Sequence, residues 1–208
     1  MVDDHLRRRD ISDPRVLAAF AAVPRERFVP PALVDRAFDD APLPIGAGQT
    51  ISQPYVVAIT VQALRLAGHE RVLEIGTGSG YAAAILGVVA REVDTVERIE
   101  ALAAGAATVL AQLGLANVHV HHGDGTLGWP ANAPYEAIAV AAAAPAPPPA
   151  LLAQLAIGGR LVVPTGTADS QRLVRITRTS EAAYREEDLG DVRFVPLLGE
   201  QGWPVPRL

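Results

Sequence analysis

The stretch Arg71-Val-Leu-Glu-Ile-Gly-Thr-Gly-Ser-Gly-Tyr-Ala-Ala-Ala-Ile-Leu86 decides how the rest of the chain is read. An apolar run carrying an acidic residue, then glycines at alternate positions, then an Ala-rich segment predicts a strand, a tight turn and the start of a helix. Gly76, Gly78 and Gly80 let the chain reverse sharply and let backbone N–H groups approach a ligand with no Cβ in the way. A dinucleotide fingerprint needs Gly or Ala at the sixth position, where this chain has Tyr81, so NAD is disfavoured. Glu74, near the end of the strand, suits a cationic or hydroxyl-bearing ligand better than a pyrophosphate. The sulfonium and amino groups of S-adenosylmethionine fit that demand. The bland alternative, a Gly-rich turn that is only a tight connection, stays open at this point.

Downstream, Glu92-Val-Asp-Thr-Val-Glu97 is an alternating β-branched strand, followed by an Ala-rich helix over 99–113. A parallel neighbour would bring Glu97 beside the same ligand, where such an acid takes ribose hydroxyls. Asn117-Val-His-Val-His-His122 predicts a third strand, ending in Gly123-Asp-Gly125. Three consecutive strand ends thus carry a carboxylate, Glu74, Glu97 and Asp124, and all three are expected to converge in one crevice. Strand alternation places His119 and His121 on one face and His122 on the other, without an acidic partner at metal-ligand spacing, so no metal is expected.

Tyr135 opens a buried fourth strand that is broken by Pro145–Pro149, and a short helix over 151–156 is expected to stop at Gly158-Gly159. Strands over 160–164, 171–177 and 191–198 complete a count of seven, the last two joined by a polar segment and pairing as a hairpin. The expected fold is α/β: a Rossmann-like, doubly wound, mostly parallel seven-stranded sheet with an antiparallel final strand. Ahead of it, helices over 13–23 and to about Phe38 lead into a Pro- and Gly-punctuated stretch with no periodicity of its own, Asp39 to Pro54. So long a segment is functional or disordered, and its apolar content argues for order. A helix from Pro54 to about Leu66 would hold Thr50, Ser52 and Gln53 at its N-terminus, a setting that favours an anion. From the residues alone, a helix cap is the favoured reading of Ser52.

Composition narrows the chemistry. At 208 residues the chain supports one domain, taken as 1–208, with an N-terminal helical and substrate-loop segment over 1–68 and a cofactor-binding core over 69–208. The net charge of −5 argues against a general nucleic-acid or anionic-membrane binder. No cysteine is present, which excludes disulfides, thiolate metal sites and a Cys nucleophile. All 18 basic residues are Arg, so a Walker-type lysine, a Schiff base and a Ser-Lys pair are excluded as well. Met1–Arg9 has no apolar run behind its charges and no stretch of eighteen apolar residues follows, so a soluble, cytoplasmic protein is expected.

The motifs Phe28-Val-Pro30, Leu43-Pro-Ile-Gly46, Gly48-Gln-Thr-Ile-Ser-Gln-Pro-Tyr55, Val72-Leu-Glu-Ile-Gly-Thr-Gly-Ser-Gly-Tyr81, Val96-Glu97, Gly123-Asp-Gly125, Ala142-Ala-Ala-Ala-Pro145, Gly158-Gly-Arg-Leu-Val162 and Arg193-Phe-Val-Pro-Leu197 resemble those of the protein-L-isoaspartate O-methyltransferases, in order and over nearly the whole chain. The glycine loop is shared with most S-adenosylmethionine-dependent methyltransferases, whereas the Gln-Thr-Ile-Ser-Gln-Pro segment is characteristic of this family. The resemblance implies a class I methyltransferase fold. It also implies methyl transfer from S-adenosylmethionine to the free carboxylate of isoaspartyl residues in damaged proteins and peptides, with S-adenosylhomocysteine as product and repair through a succinimide. A monomer is expected, acting on neither nucleic acid nor membrane. By the same resemblance Ser52 contacts the acceptor carboxylate, with Thr50 and Gln53 beside it. Glu74 and the loop Gly76, Thr77, Gly78, Ser79 and Gly80 hold the methionine part, Glu97 the ribose, and Asp124 with Gly125 the adenine end. The segment 181–190 and the tail after Gly199 match no motif of the family. Two other classes stay open: a methyltransferase of this fold acting on a normal aspartate in a dedicated peptide partner, and a non-catalytic module that keeps the cofactor cradle.

Overall fold

The computed structural model describes residues 1–205; the last three residues of the tail after Gly199 lie outside them. A wide helical turn (Val2–Arg7), helix α1 (Pro14–Ala22) and two 3₁₀ turns (Arg25–Phe28, Pro31–Arg36) lead to a small hairpin, β1 (Leu43–Gly46) and β2 (Gln49–Ile51). Helix α2 (Pro54–Leu64) follows, and then the alternating part: β3 (Arg71–Ile75), α3 (Tyr81–Val89), β4 (Glu92–Glu97), α4 (Glu100–Gln112), β5 (Val118–His122) and β6 (Tyr135–Val140). Helix α5 (Pro149–Gln154) and strands β7 (Leu155–Gly166), β8 (Gln171–Arg178) and β9 (Tyr184–Val192) complete the chain. Helix α1 falls within the predicted 13–23 stretch with Pro14 at its first position, and Asp13 caps it by accepting from the N–H groups of Arg15 and Val16.

The main sheet has seven strands in the order β5-β4-β3-β6-β7-β8-β9. Strands β3 to β7 pair in parallel, while β8 pairs antiparallel with both neighbours. The chain order reverses between β3 and β6, so a crevice opens above the carboxyl ends of β3, β4 and β6, where ligands of open α/β sheets bind. One apolar cluster joins Leu6, Phe20, Phe28 and Leu64 of the N-terminal segment to Val72 and Val162 of the sheet and Ile85 of α3. A second, with Leu73, Ile138, Leu161 and Ile176, fills the other face.

Four local expectations are corrected. The stretch 39–54 is not aperiodic: Leu43 to Ile51 is a hairpin, turning through Gly46, Ala47 and Gly48, all with positive φ. Gly158-Gly159 does not stop a helix but forms a bulge within β7, where three extra residues stand opposite Glu136. The last strand is 184–192 rather than 191–198, so most of the unmatched segment 181–190 is β9, and residues 193–198 make only isolated bridges, Pro196 to Ala143 and Leu198 to Trp203. The antiparallel member is therefore the penultimate strand and not the final one. β9 is an edge strand, exposed along most of its length, and so lacks the apolar alternation that reveals a half-buried strand.

Candidate active site

The glycine loop closes the carboxyl end of β3. The Gly76 N–H donates to Val96 C=O at 2.9 Å and Ala141 N–H donates to Ile75 C=O at 2.8 Å, so the loop is anchored to the ends of both neighbouring strands. Gly78 has φ +54 and its N–H donates to Glu97 Oε2 at 2.9 Å. Gly80 has φ +91, and a Cβ there would sit 3.2 Å from the Cβ of Ala106, so this glycine lets α3 pack against α4. Above the loop lies a narrow cleft. Its floor is Ile75 to Ser79, one wall is Val96 to Ile99, and its roof is formed by Gln49 to Ser52 and by Val195 to Leu198.

Of the three strand-end carboxylates, only Glu97 stands on the cleft wall. Both its oxygens accept backbone N–H groups, Oε2 from Gly78 and Oε1 from Ile99 at 2.9 Å. The structure does not bring Glu74 to the same surface. Its side chain turns beneath the loop, where Oε2 accepts from the Thr95 hydroxyl at 2.5 Å; Thr95 in turn meets the Thr77 hydroxyl at 2.6 Å. Glu74 Oε1 has no hydrogen-bond partner among the described residues and borders a small apolar cavity shared with Ser52, Thr60 and Phe194. Burial pushes the Glu74 carboxyl up to about 8; the Thr95 hydrogen bond opposes this and the charge of Glu97 adds to it.

Asp124 departs from expectation in another way. Its Oδ1 accepts from the N–H and hydroxyl of Thr126 at 2.9 and 2.7 Å, and its Oδ2 accepts from the N–H of Glu200 at 2.8 Å. Burial alone would raise this carboxyl, but those donors outweigh it and hold its pKa below the ordinary value. Asp124 is thus a clasp for the C-terminal tail, while the adjacent Gly125 lines the cleft. The clasp matters because residues 195–198 are part of the roof: Ala143 N–H donates to Val195 C=O and Leu197 N–H to Ala143 C=O, both at 2.8 Å, and the Trp203 indole N–H reaches Ala143 C=O at 3.1 Å. Nothing local in the sequence marks the tail as roof, because its partners lie more than fifty residues away.

Ser52 joins the cleft to a second space. A broad groove of about 780 Å³ opens beside it, bordered by Arg9, Tyr55 and Ile59 on one side and by Leu189 to Val195 on the other. Thr50 and Ser52 line both cavities, whereas Gln53 lines the groove alone. The N-cap of α2 is Gln53, with no side-chain cap, and the Ser52 hydroxyl makes no hydrogen bond among the described residues. Ser52 is therefore not the cap that its position before Pro54 allowed. The Arg9 guanidinium lies 3.3 Å from the centroid of the Tyr55 ring, and Tyr55 Oη donates to Asp10 at 2.7 Å, which gives the groove a fixed aromatic wall.

The histidines of β5 pair with acids of the neighbouring strand, His119 with Glu92 at 2.8 Å and His121 with Asp94 at 2.7 Å. His121 also stacks on Trp129. Among the described residues no group of three His, Asp or Glu side chains could hold a metal ion.

Residues 1–202 match the family model described as protein-L-isoaspartate(D-aspartate) O-methyltransferase. The chain belongs to this family. A Rhodopseudomonas palustris protein-L-isoaspartate O-methyltransferase is 58% identical over 207 residues, covering 99% of this chain and 95% of that protein. A Marinobacter nauticus protein-L-isoaspartate O-methyltransferase is 58% identical, covering 98% and 94%. Among solved structures, a protein-L-isoaspartate O-methyltransferase superposes with a TM-score of 0.87 at 28% identity, covering 97% of this chain and 67% of that one. A Plasmodium falciparum chain of the same description, in complex with S-adenosyl-L-homocysteine, has the same fold, with a TM-score of 0.82 at 24% identity and coverage of 95% and 96%. Seven strands with one antiparallel member, flanked by helices, are thus the family's architecture as well as this chain's. No helix among the described residues is long and apolar enough to cross a membrane.

Proposed function

We infer that this member of the family methylates the free carboxylate of L-isoaspartyl residues in damaged proteins and peptides, with S-adenosylmethionine as donor. The observation that carries the reading is the place of Ser52, whose uncommitted hydroxyl stands where the glycine-loop cleft meets the open groove. The cleft is suited to the donor. Loop glycines leave backbone amides accessible, the α3 N-terminus rises from the loop, and Glu97 holds a carboxylate on the wall within reach of a diol. When bound, the donor supplies an electrophilic methyl group on a sulfonium sulfur.

The chain's own contribution is binding, alignment and exclusion of water. An acceptor carboxylate, with an ordinary pKa near 4, is already ionised at neutral pH, so no general base is required. In keeping with that, both oxygens of Glu97 are occupied by backbone donors and no histidine lines the cleft among the described residues. The acceptor anion is favoured at the α2 N-terminus, where Ser52 and Thr50 present hydroxyl donors, and Arg193 adds positive charge to the groove. Holding oxygen and methyl carbon in line under a closed roof supplies the rate enhancement. The methyl ester so formed closes spontaneously to a succinimide and releases methanol.

At about 780 Å³ the groove has room for several residues of a peptide, which fits a protein substrate rather than a free amino acid. Incubation with an isoaspartyl hexapeptide and its aspartyl twin tests the reading. Methyl transfer to the first and not the second is expected. Transfer to the aspartyl twin alone would overturn it in favour of a dedicated aspartyl target, and a D-aspartyl version measures the breadth of the site.

A further inference from the structure

Arg25 carries a charge that methyl transfer does not require, in a place where a charge is costly. Its side chain has no exposed surface, and no carboxylate forms an ion pair with it among the described residues. Burial lowers its pKa, with only partial compensation from Tyr81 and Asp40. A buried cation without a paired anion is destabilising relative to an apolar residue of similar size, so packing alone does not account for it. What the guanidinium does is join three elements. Its Nε donates to the Ala37 carbonyl at 2.7 Å, its Nη2 donates to the Ser52 carbonyl at 2.8 Å, and its Cζ lies over the Tyr81 ring, 4.6 Å from the centroid.

Each of those partners has a bearing on the site. Ser52 lies between the end of β2 and the cap of α2, outside the backbone ladder of either, and Arg25 is the donor to its carbonyl among the described residues. Tyr81 opens α3 directly after the glycine loop and lines the cleft, and its ring is held edge-on by Phe20 at 5.9 Å and Phe28 at 5.5 Å. One rigid fork therefore ties the acceptor loop to the wall of the donor cleft. A lysine could not reproduce this, since it offers a point charge on a flexible stem and no plane to stack.

We propose that Arg25 is a positioning residue that fixes the Ser52 peptide against Tyr81 and so sets the approach of the acceptor carboxylate to the donor methyl. This rests on the reading of Ser52 given above. Arg25→Lys keeps the charge, and Arg25→Met removes the charge while keeping an unbranched apolar stem of similar reach. Both are assayed alone and combined with Ser52→Ala, for melting temperature, affinity for S-adenosylhomocysteine, and kcat and KM on an isoaspartyl peptide well below the melting point. Arg25→Lys is expected to fold, to bind S-adenosylhomocysteine within about threefold of the parent, and to lose 10- to 100-fold in kcat, the scale of an ångström misplacement. In the Ser52→Ala background the same change should cost less than about threefold more, because the group it positions is gone.

A normal kcat in Arg25→Lys overturns the proposal whatever Ser52 does. Full multiplication of the two losses overturns it too, since it would mean that Arg25 acts independently of Ser52. If Arg25→Met fails to fold, the lysine variant alone decides. A Ser52→Ala enzyme with near-normal kcat removes the Ser52 reading, and is told apart by appearing in the single Ser52 variant.

Discussion

Replacing Glu74 by Gln tests the buried carboxyl directly, through the pH dependence of stability. Glu74 is 1% exposed, and one of its two oxygens has no partner among the described residues, so the folded protein holds the proton until about pH 8 while the unfolded chain releases it near the ordinary 4.5. The folded pKa is the higher one. The contribution is therefore fully present below pH 4.5 and is lost as pH rises to 8, because in that window the unfolded state binds fewer protons than the folded one. The gap from 4.5 to about 8 spans 3.5 pH units; at about 1.4 kcal/mol per unit this is a loss on the order of 5 kcal/mol. That is comparable with the whole stability of a marginal domain. Gln keeps an acceptor for the Thr95 hydroxyl and cannot ionise. Urea unfolding at half-unit steps from pH 4.5 to 8.5 should show the variant close to the parent at the acid end and several kcal/mol more stable at the alkaline end. Curves that stay parallel within about 1 kcal/mol over the whole range would refute the reasoning, because they would show that the site accommodates the ionised carboxylate.

Further consequences follow from the site geometry. Glu97→Ala removes a carboxylate that also holds the Gly78 and Ile99 amides, so S-adenosylmethionine affinity should fall by about 10- to 100-fold, equivalent to roughly 1.5–3 kcal/mol; unchanged affinity in a calorimeter would remove Glu97 from the donor site. Ser52→Ala, with no cap to lose, should shift stability by less than about 0.5 kcal/mol and lower turnover by about 100-fold with donor affinity intact; a destabilised but active variant would contradict this. Gly199→Ala places a Cβ against the Asp124 carboxylate, so the roof should open, with a lower melting temperature and weaker S-adenosylhomocysteine binding; wild-type behaviour on both would show that the tail is no clasp. Activity should survive a strong chelator, since the carboxylate chemistry calls for no ion; loss restored by zinc would implicate His119 and His121.

The parts of this molecule legible in its sequence are those whose signal is local. The glycine loop, the β-branched strand ending at Glu97 and the helix that starts at Pro14 each declare themselves within ten residues, and the structure has them where the pattern predicts. β9 reads as a polar connection because an exposed edge strand has no buried face to impose alternation on Tyr184 to Val192. Gly158-Gly159 follows a helix and so resembles a stop. What makes it a bulge is its neighbour in the sheet: a Cβ on Gly159 would lie 3.0 Å from the Glu136 carbonyl, a contact that spacing along the chain cannot reveal.

The same distinction separates the three strand-end acids. Position at the end of a parallel strand says where a side chain starts, and it holds for Glu74, Glu97 and Asp124 alike; which way each turns is decided by the donors it meets. Glu97 finds two backbone amides of the loop and its own strand end and stays on the wall. Glu74 finds a threonine pair beneath the loop. Asp124 meets the N–H of Glu200, 76 residues further on, and is spent on holding the roof. Arg25 extends the point: in the sequence it is one of four charged or aromatic residues in Arg25-Glu-Arg-Phe28, and charge argues for the surface. Its burial follows only from carbonyls at Ala37 and Ser52 that the intervening turns and hairpin deliver to it. A pattern read along the chain finds the binding loop, and the partners that aim the side chains around it come from contacts that only the fold creates.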